Sequence, residues 1–178
     1  FINDAAWNFL EAIERGENIE TPYSREMPEI RFRCGNIKSR LRTVFLYDQA
    51  KAKGGIVIGT DNYTEYLLGF STIGGDGLYD YCPIQYLWKT EIYEFCEFLM
   101  KDAVEKTDYA TAHAIQASYL LAPQDGLGIS NTDMDQIGCK NYYEVDEILY
   151  AFLYDVNSLP EIESRIGKEP TKKVISRH

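Results

Sequence analysis

The chain has 178 residues, 45% of them hydrophobic and 26% charged, enough apolar material for one domain with a real core and too much for a disordered chain. Its net charge of −10 excludes a nucleic-acid or anionic-membrane surface, because phosphate-rich partners need a net basic face, and any phosphorylated ligand must be held by local charge. Cys34, Cys82, Cys96 and Cys139 form no Cys-x-x-Cys pair, and with only His113 and His178 beside them no zinc spacing exists.

Residues 4–15 are predicted as a helix, with Ala6, Phe9, Leu10 and Ile13 on one stripe, Asn3 or Asp4 as N-cap and Gly16 at its stop. Glu17 to Cys34 contains Pro22 and Pro28 without a sustained period and reads as a connection, with one short strand near Ile30–Arg33. A second helix is predicted from Asn36 to Lys51 on the stripe Ile37, Leu41, Val44 and Phe45, ended by Gly54 and Gly55. Ile56-Val57-Ile58-Gly59 is an unalternating, β-branched run of the kind that fills a parallel strand buried on both faces. A helix over Asn62–Leu68 follows, then a Gly-rich loop over Ser71–Asp80, then a helix with Ile92, Phe95, Cys96, Leu99 and Met100 in register. Beyond Met100 the periodicity gives a weak helix over Tyr109–Tyr119, a turn-rich stretch over Pro123–Asp135, a strong helix over Glu144–Tyr154 and a basic tail from Lys168.

One buried parallel strand cannot form a sheet alone, since its backbone groups need neighbours on both sides. The expected fold is therefore α/β, part of a doubly wound parallel sheet whose remaining strands precede Phe1. A start at Phe1 in place of Met also suggests a fragment or a processed chain. No run of about 18 apolar residues and no charged-then-apolar leader occurs, so neither a membrane span nor a signal peptide is expected. The cysteines read as reduced packing residues of a cytoplasmic protein.

In an open α/β sheet ligands bind beyond the carboxyl ends of the strands, which directs attention to Thr60, Asp61 and Glu65. Thr60 offers a hydroxyl and backbone N–H groups suited to a phosphate. Asp61 and Glu65 are four apart, so a helix beginning at Asp61 would present both carboxylates on one face as oxygen ligands for Mg²⁺. The plainer alternative makes Thr60 or Asp61 an N-cap and Glu65 a solvated residue. Gly74-Gly75-Asp76-Gly77-Leu78-Tyr79-Asp80 can let backbone approach a ligand with two acids facing one site, or can be ordinary turn chemistry. Lys89 opens a helix where the dipole disfavours a cation, which hints at an anion it meets; an exposed lysine is the alternative. Arg40 lies in a small basic strip that is either a ligand contact or a solvated helix face. His113 has no partner for a catalytic triad, and the fourteen tyrosines suit packing better than stacking on bases.

Taken together, Gly35-Asn36-Ile37-Lys38-Ser39-Arg40-Leu41-Arg42, Ile58-Gly59-Thr60-Asp61-Asn62-Tyr63-Thr64-Glu65, Gly75-Asp76-Gly77-Leu78-Tyr79-Asp80-Tyr81-Cys82-Pro83-Ile84 and Leu87-Trp88-Lys89 resemble, in order and spacing, the NAD synthetases. With weaker similarity through Asp146-Glu147-Ile148-Leu149, the resemblance covers roughly residues 35–150. It implies the adenine-nucleotide α-hydrolase fold in one synthetase domain over residues 1–178. The family's Ser-Gly-Gly-x-Asp-Ser phosphate loop and its C-terminal Lys-Arg pair are not found in this sequence. It further implies that Thr60 and Lys89 contact ATP, that Glu65 coordinates Mg²⁺, that Arg40 and Asp80 bind deamido-NAD, and that Asp76 and Lys89 serve catalysis, Asp76 by positioning ammonia or the nicotinate. Two positions depart from well-known members: Ile73 replaces a lysine that contacts deamido-NAD, and Gln124 replaces a threonine that contacts ATP.

The implied activity is ATP-dependent amidation of deamido-NAD with ammonia, through an adenylate, by a cytoplasmic homodimer that uses Mg²⁺ and has neither nucleic-acid nor membrane partners. Without the phosphate loop, this chain alone is expected to be inactive. Glutamine as nitrogen source, another ATP-pyrophosphatase ligase of the same fold, and a non-catalytic binding or dimerisation fragment remain the competing readings.

Overall fold

The computed structural model describes residues 1–16, 26–124 and 132–178. These divide into two compact units, one comprising Phe1–Asp61 and Phe70–Gln85, the other Asn62–Gly69, Tyr86–Gln124 and Thr132–His178.

In the first unit α1 (Ile2–Gly16) packs on α2 (Pro28–Lys53). Ala6 and Leu10 meet Ile30 and Cys34 in a buried cluster flanked by Trp7, Ile37 and Leu41. α1 begins earlier than expected: Ala5 N–H donates to the Phe1 carbonyl, so neither Asn3 nor Asp4 is the N-cap. α2 also begins early, replacing the connection and short strand expected through Ile30–Arg33. Pro28 opens it, since a fixed φ and a missing N–H cost nothing in a first turn, and Ile30 and Cys34, four apart, face α1. Gly54 ends it at φ 65°, donating to the Ala50 and Lys51 carbonyls. The part of the expected connection over residues 17–25, with Pro22, lies outside the described residues.

The expected strand at Ile56–Gly59 is, among the described residues, one parallel bridge between Ile58 and Tyr81. Val57 is buried, but Ile56 is 61% exposed and Ile58 50%, so the run is not covered on both faces. A buried strand needs a ladder on each side, and here Tyr81 alone supplies one. No doubly wound sheet is seen among the described residues.

The second unit is helical: α3 (Tyr63–Leu68), α4 (Lys89–Glu105), α5 (Tyr109–Tyr119), α6 (Asp133–Ile137), α7 (Tyr142–Tyr154), α8 (Leu159–Ile166) and α9 (Lys168–Ile175), with a 3₁₀ turn at Val156–Ser158. α7 is its centre, packed by α3, α4, α8 and α9, with Val145, Ile148 and Leu149 fully buried. Asn141 caps α7 by accepting from Glu144 N–H, which starts the helix two residues before the expected Glu144. The basic tail expected from Lys168 is helical as α9, with Val174 buried and Lys172 and Lys173 on the outer face, and α8 precedes it with Ile162 buried. α5 has the expected bounds. Of the turn-rich stretch expected over Pro123–Asp135, residues 125–131 lie outside the described residues, and its end is helical instead, Thr132 capping α6. Cys34, Cys82 and Cys139 are buried thiols and Cys96 is half-buried. Among the described residues no helix is long and apolar enough to cross a membrane.

Candidate functional site

The six site residues that the resemblance implies fall into two groups, one in each unit. Arg40, Thr60, Asp76 and Asp80 belong to the first; Glu65 and Lys89 belong to the second.

In the first unit, consecutive residues of α2 grip the Gly-rich loop. Buried Ser39 donates its hydroxyl to Asp76 Oδ1 at 2.6 Å and accepts from Asp76 N–H at 2.9 Å. Thr72 N–H donates to the same Oδ1 at 2.9 Å, while Arg40 Nε donates to the Ile73 carbonyl at 3.1 Å. Gly75 is required by this closeness, since a Cβ there would lie 2.2 Å from Ser39 Oγ. Asp76 therefore organises its own loop with one oxygen. The Ile73 side chain is 89% exposed.

Asp80 closes the loop by accepting from Val57 N–H at 2.8 Å. Partial desolvation, followed by the charge and hydrogen bond of Asp80, pushes the Tyr47 hydroxyl above its ordinary range. Thr60 is exposed just after Gly59, whose N–H donates to the Tyr81 carbonyl at 2.8 Å. Gly59 also admits the Tyr79 ring, which lies 2.4 Å from where a Cβ would stand.

In the second unit, α3 begins at Tyr63 with Asn62 as N-cap, not Thr60 or Asp61. Asp61 thus precedes the helix and does not share a helical face with Glu65, which corrects the expected i, i+4 pairing. A capping box fixes Glu65 instead: Asn62 Oδ1 accepts from Glu65 N–H at 3.0 Å, and Glu65 Oε2 accepts from Asn62 N–H at 3.1 Å. Its other oxygen, Oε1, accepts from Lys89 Nζ at 2.8 Å, with side chains only 19% and 16% exposed. The anion that Lys89 meets in this structure is Glu65.

Sequence reasoning missed the residues around this pair. Lys89 Nζ lies 5.3 Å from the centre of the Tyr142 ring and 6.0 Å from that of Tyr93, within cation–π range. Tyr142 donates to Asp133 Oδ2 at 2.6 Å, and burial, then that bond, holds its hydroxyl far above the usual range. Burial, then the charges of Glu65, Asp133 and Asp146, pushes Tyr93 up to about 12. Asp146 accepts from Thr64 Oγ1 at 2.6 Å and Thr90 N–H at 2.9 Å; burial raises its carboxyl above the ordinary value although these bonds pull it down. Thr64 and Asp146 stood in segments the sequence pointed to, and for Asp146 a polar residue beside Val145 and one turn before Leu149 on a strongly apolar helix was the available signal.

Among the described residues no group of three His, Cys, Asp or Glu could hold a metal ion. Mg²⁺ that serves a nucleotide is held by one or two carboxylates plus substrate phosphates and water, so a single cation-bearing carboxylate such as Glu65 fits it. A half-buried ammonium beside that carboxylate fits a polyphosphate equally well.

The sequence profile of the family described as NAD synthase matches residues 11–177. The chain is 40% identical over 116 residues to an NH(3)-dependent NAD(+) synthetase of Thermoplasma acidophilum, covering 65% of this chain and 42% of that protein. It is 36% identical over 147 residues to that of Thermoplasma volcanium, covering 82% of this chain and 54% of the relative. Among solved structures, the NMN synthetase of Francisella tularensis superposes with a TM-score of 0.61 at 29% identity, over 90% of this chain and 56% of that one. The chain thus spans about half the length of the curated relatives it matches.

Proposed function

Because the chain belongs to the NAD synthase family, we propose that it carries part of an enzyme that amidates deamido-NAD to NAD with ATP and ammonia. The family match over residues 11–177 carries this reading. In support of it, the family-like segments around Thr60, Glu65, Asp80 and Lys89 all lie in ordered structure, and Glu65 and Lys89 stand together.

The nicotinate carboxylate attacks the α-phosphorus of ATP, releasing pyrophosphate and leaving an acyl adenylate; ammonia then displaces AMP. Mg²⁺, held by Glu65 with phosphate oxygens, would neutralise charge on the leaving pyrophosphate. Lys89 exchanges its ion pair with Glu65 for the phosphates and offsets charge as the new bond forms. Thr60 donates to ATP. Arg40 and Asp80 hold the dinucleotide, and Asp76, whose Oδ1 is engaged, has Oδ2 to orient ammonia and accept its proton. The two units belong to one synthetase domain of the doubly wound parallel-sheet type, to which the described residues contribute the Ile58–Tyr81 bridge. The enzyme works as a cytoplasmic homodimer.

A second reading concerns the acceptor. The likeness to the Francisella tularensis NMN synthetase, and Ile73 in place of a lysine expected to contact deamido-NAD, favour a nicotinate mononucleotide in place of the dinucleotide. Both acceptors present the same carboxylate. Turnover of the full protein with Mg²⁺-ATP, ammonium and each acceptor in turn tests both readings through release of AMP and pyrophosphate. A higher kcat/KM for deamido-NAD is expected; a higher value for the mononucleotide selects the second reading, and no pyrophosphate with either overturns both.

A further inference from the structure

We propose that Asp146 is a positioning residue that acts through Thr64 to hold Lys89 against Glu65, an inference that rests on reading this pair as the ATP-handling groups. Asp146 comes from α7 and is 6% exposed. Its Oδ1 accepts from Thr64 Oγ1 at 2.6 Å, and Thr64 Oγ1 in turn accepts from Lys89 N–H at 2.9 Å. Its Oδ2 accepts from Thr90 N–H at 2.9 Å. One carboxylate thereby fixes the first two amides of α4 and the residue preceding Glu65 on α3, joining three helices at one point.

The arrangement answers a local conflict. Lys89 occupies the first position of α4, where the positive end of the helix dipole repels its ammonium. A buried anion facing the same amides offsets that field, and the hydroxyl of Thr64 fixes the backbone of Lys89 relative to Glu65. Thr64 is fully buried and Asp146 nearly so, and the polar groups they meet are those of Lys89 and Thr90, so their effect passes through the start of α4. A buried carboxylate is costly, as the raised pKa of Asp146 reflects, whereas apolar packing would join three helices without that cost.

The test uses the full protein as its gene encodes it. Thr64→Val keeps shape and removes the hydroxyl, so the KM for ATP should rise roughly tenfold with the acceptor KM almost unmoved, and Thr64→Ser should restore most of the loss. If Thr64 acts through Lys89, adding Thr64→Val to Lys89→Met should raise the ATP KM little further. A Thr64→Val protein with lowered Tm but normal ATP KM, while Lys89→Met is impaired, overturns the positioning role and leaves the reading of the pair intact. A Lys89→Met protein with normal ATP handling overturns that reading and this proposal with it. Should Thr64→Val fail to fold, Thr64→Ser decides alone: an ATP KM within about twofold of wild type supports the role, and a tenfold rise overturns it.

Discussion

The ammonium of Lys89 lies 2.8 Å from Oε1 of Glu65, although the two residues are 24 positions apart and both are largely removed from solvent. The pair is thus held by structure from two helices, and each partner leaves the other with a half-buried charge if it is removed.

Glu65→Gln separates charge from shape. A glutamine can still accept from Asn62 N–H, so the capping box survives and α3 should fold normally. The lost negative charge should raise the Mg²⁺ concentration needed for half-maximal activity by about tenfold, with partial recovery at high Mg²⁺. Mg²⁺ titrations of the two proteins check this, and superimposable curves would return Glu65 to a purely capping role.

Asp80→Asn keeps an oxygen for Val57 N–H, so Tm should shift little. Losing a charged hydrogen bond to the substrate costs about 1.5 to 3 kcal/mol, which raises the KM for deamido-NAD roughly ten- to hundredfold at nearly constant kcat. The ATP KM should stay close to wild type. Steady-state kinetics with each substrate varied checks the split; a fall in kcat alone would contradict a binding role.

Gly75→Ala should destabilise by about 1 to 3 kcal/mol, because its Cβ would meet Ser39 Oγ at 2.2 Å and break the bonds between Ser39 and Asp76. Gly55→Ala is the control, since its nearest neighbour is an Ala50 carbonyl at 4.0 Å and its φ is ordinary; its effect should stay within about 0.5 kcal/mol. Thermal melts of both variants distinguish loop geometry from a general glycine effect.

Burial, then the charge of Glu144, pushes the Cys139 thiol up to about 11. A raised thiol pKa depletes the thiolate, to roughly a thousandth of the population at pH 8, and reactivity should climb only as pH approaches that value. Half-buried Cys96 should therefore be alkylated first at neutral pH, with Cys34, Cys82 and Cys139 labelled only after unfolding. Mass spectrometry of alkylated peptides over time reads this order, and early labelling of Cys139 would contradict its burial.

Much was legible locally. The helices through Leu10, Leu99 and Leu149 follow from apolar residues recurring every three or four positions, a signal each segment carries by itself. The motifs around Arg40, Thr60, Glu65, Asp80 and Lys89 identified the family because their order and spacing are linear properties of a chain. What lay beyond the sequence depended on neighbours. Ile56-Val57-Ile58-Gly59 has the composition of a buried strand, yet a strand exists only through partners, and the described residues provide one bridge. Pro28 resembled a break until α1 offered Ile30 and Cys34 a face to cover, since burial outweighs weak local propensity. Tertiary structure alone decided that Ser39 takes one oxygen of Asp76 and that Thr64 meets Asp146 across 82 positions. Hydrogen bonds between distant side chains leave no periodicity in a sequence, because their geometry is set by the packing of whole helices and not by spacing along the chain.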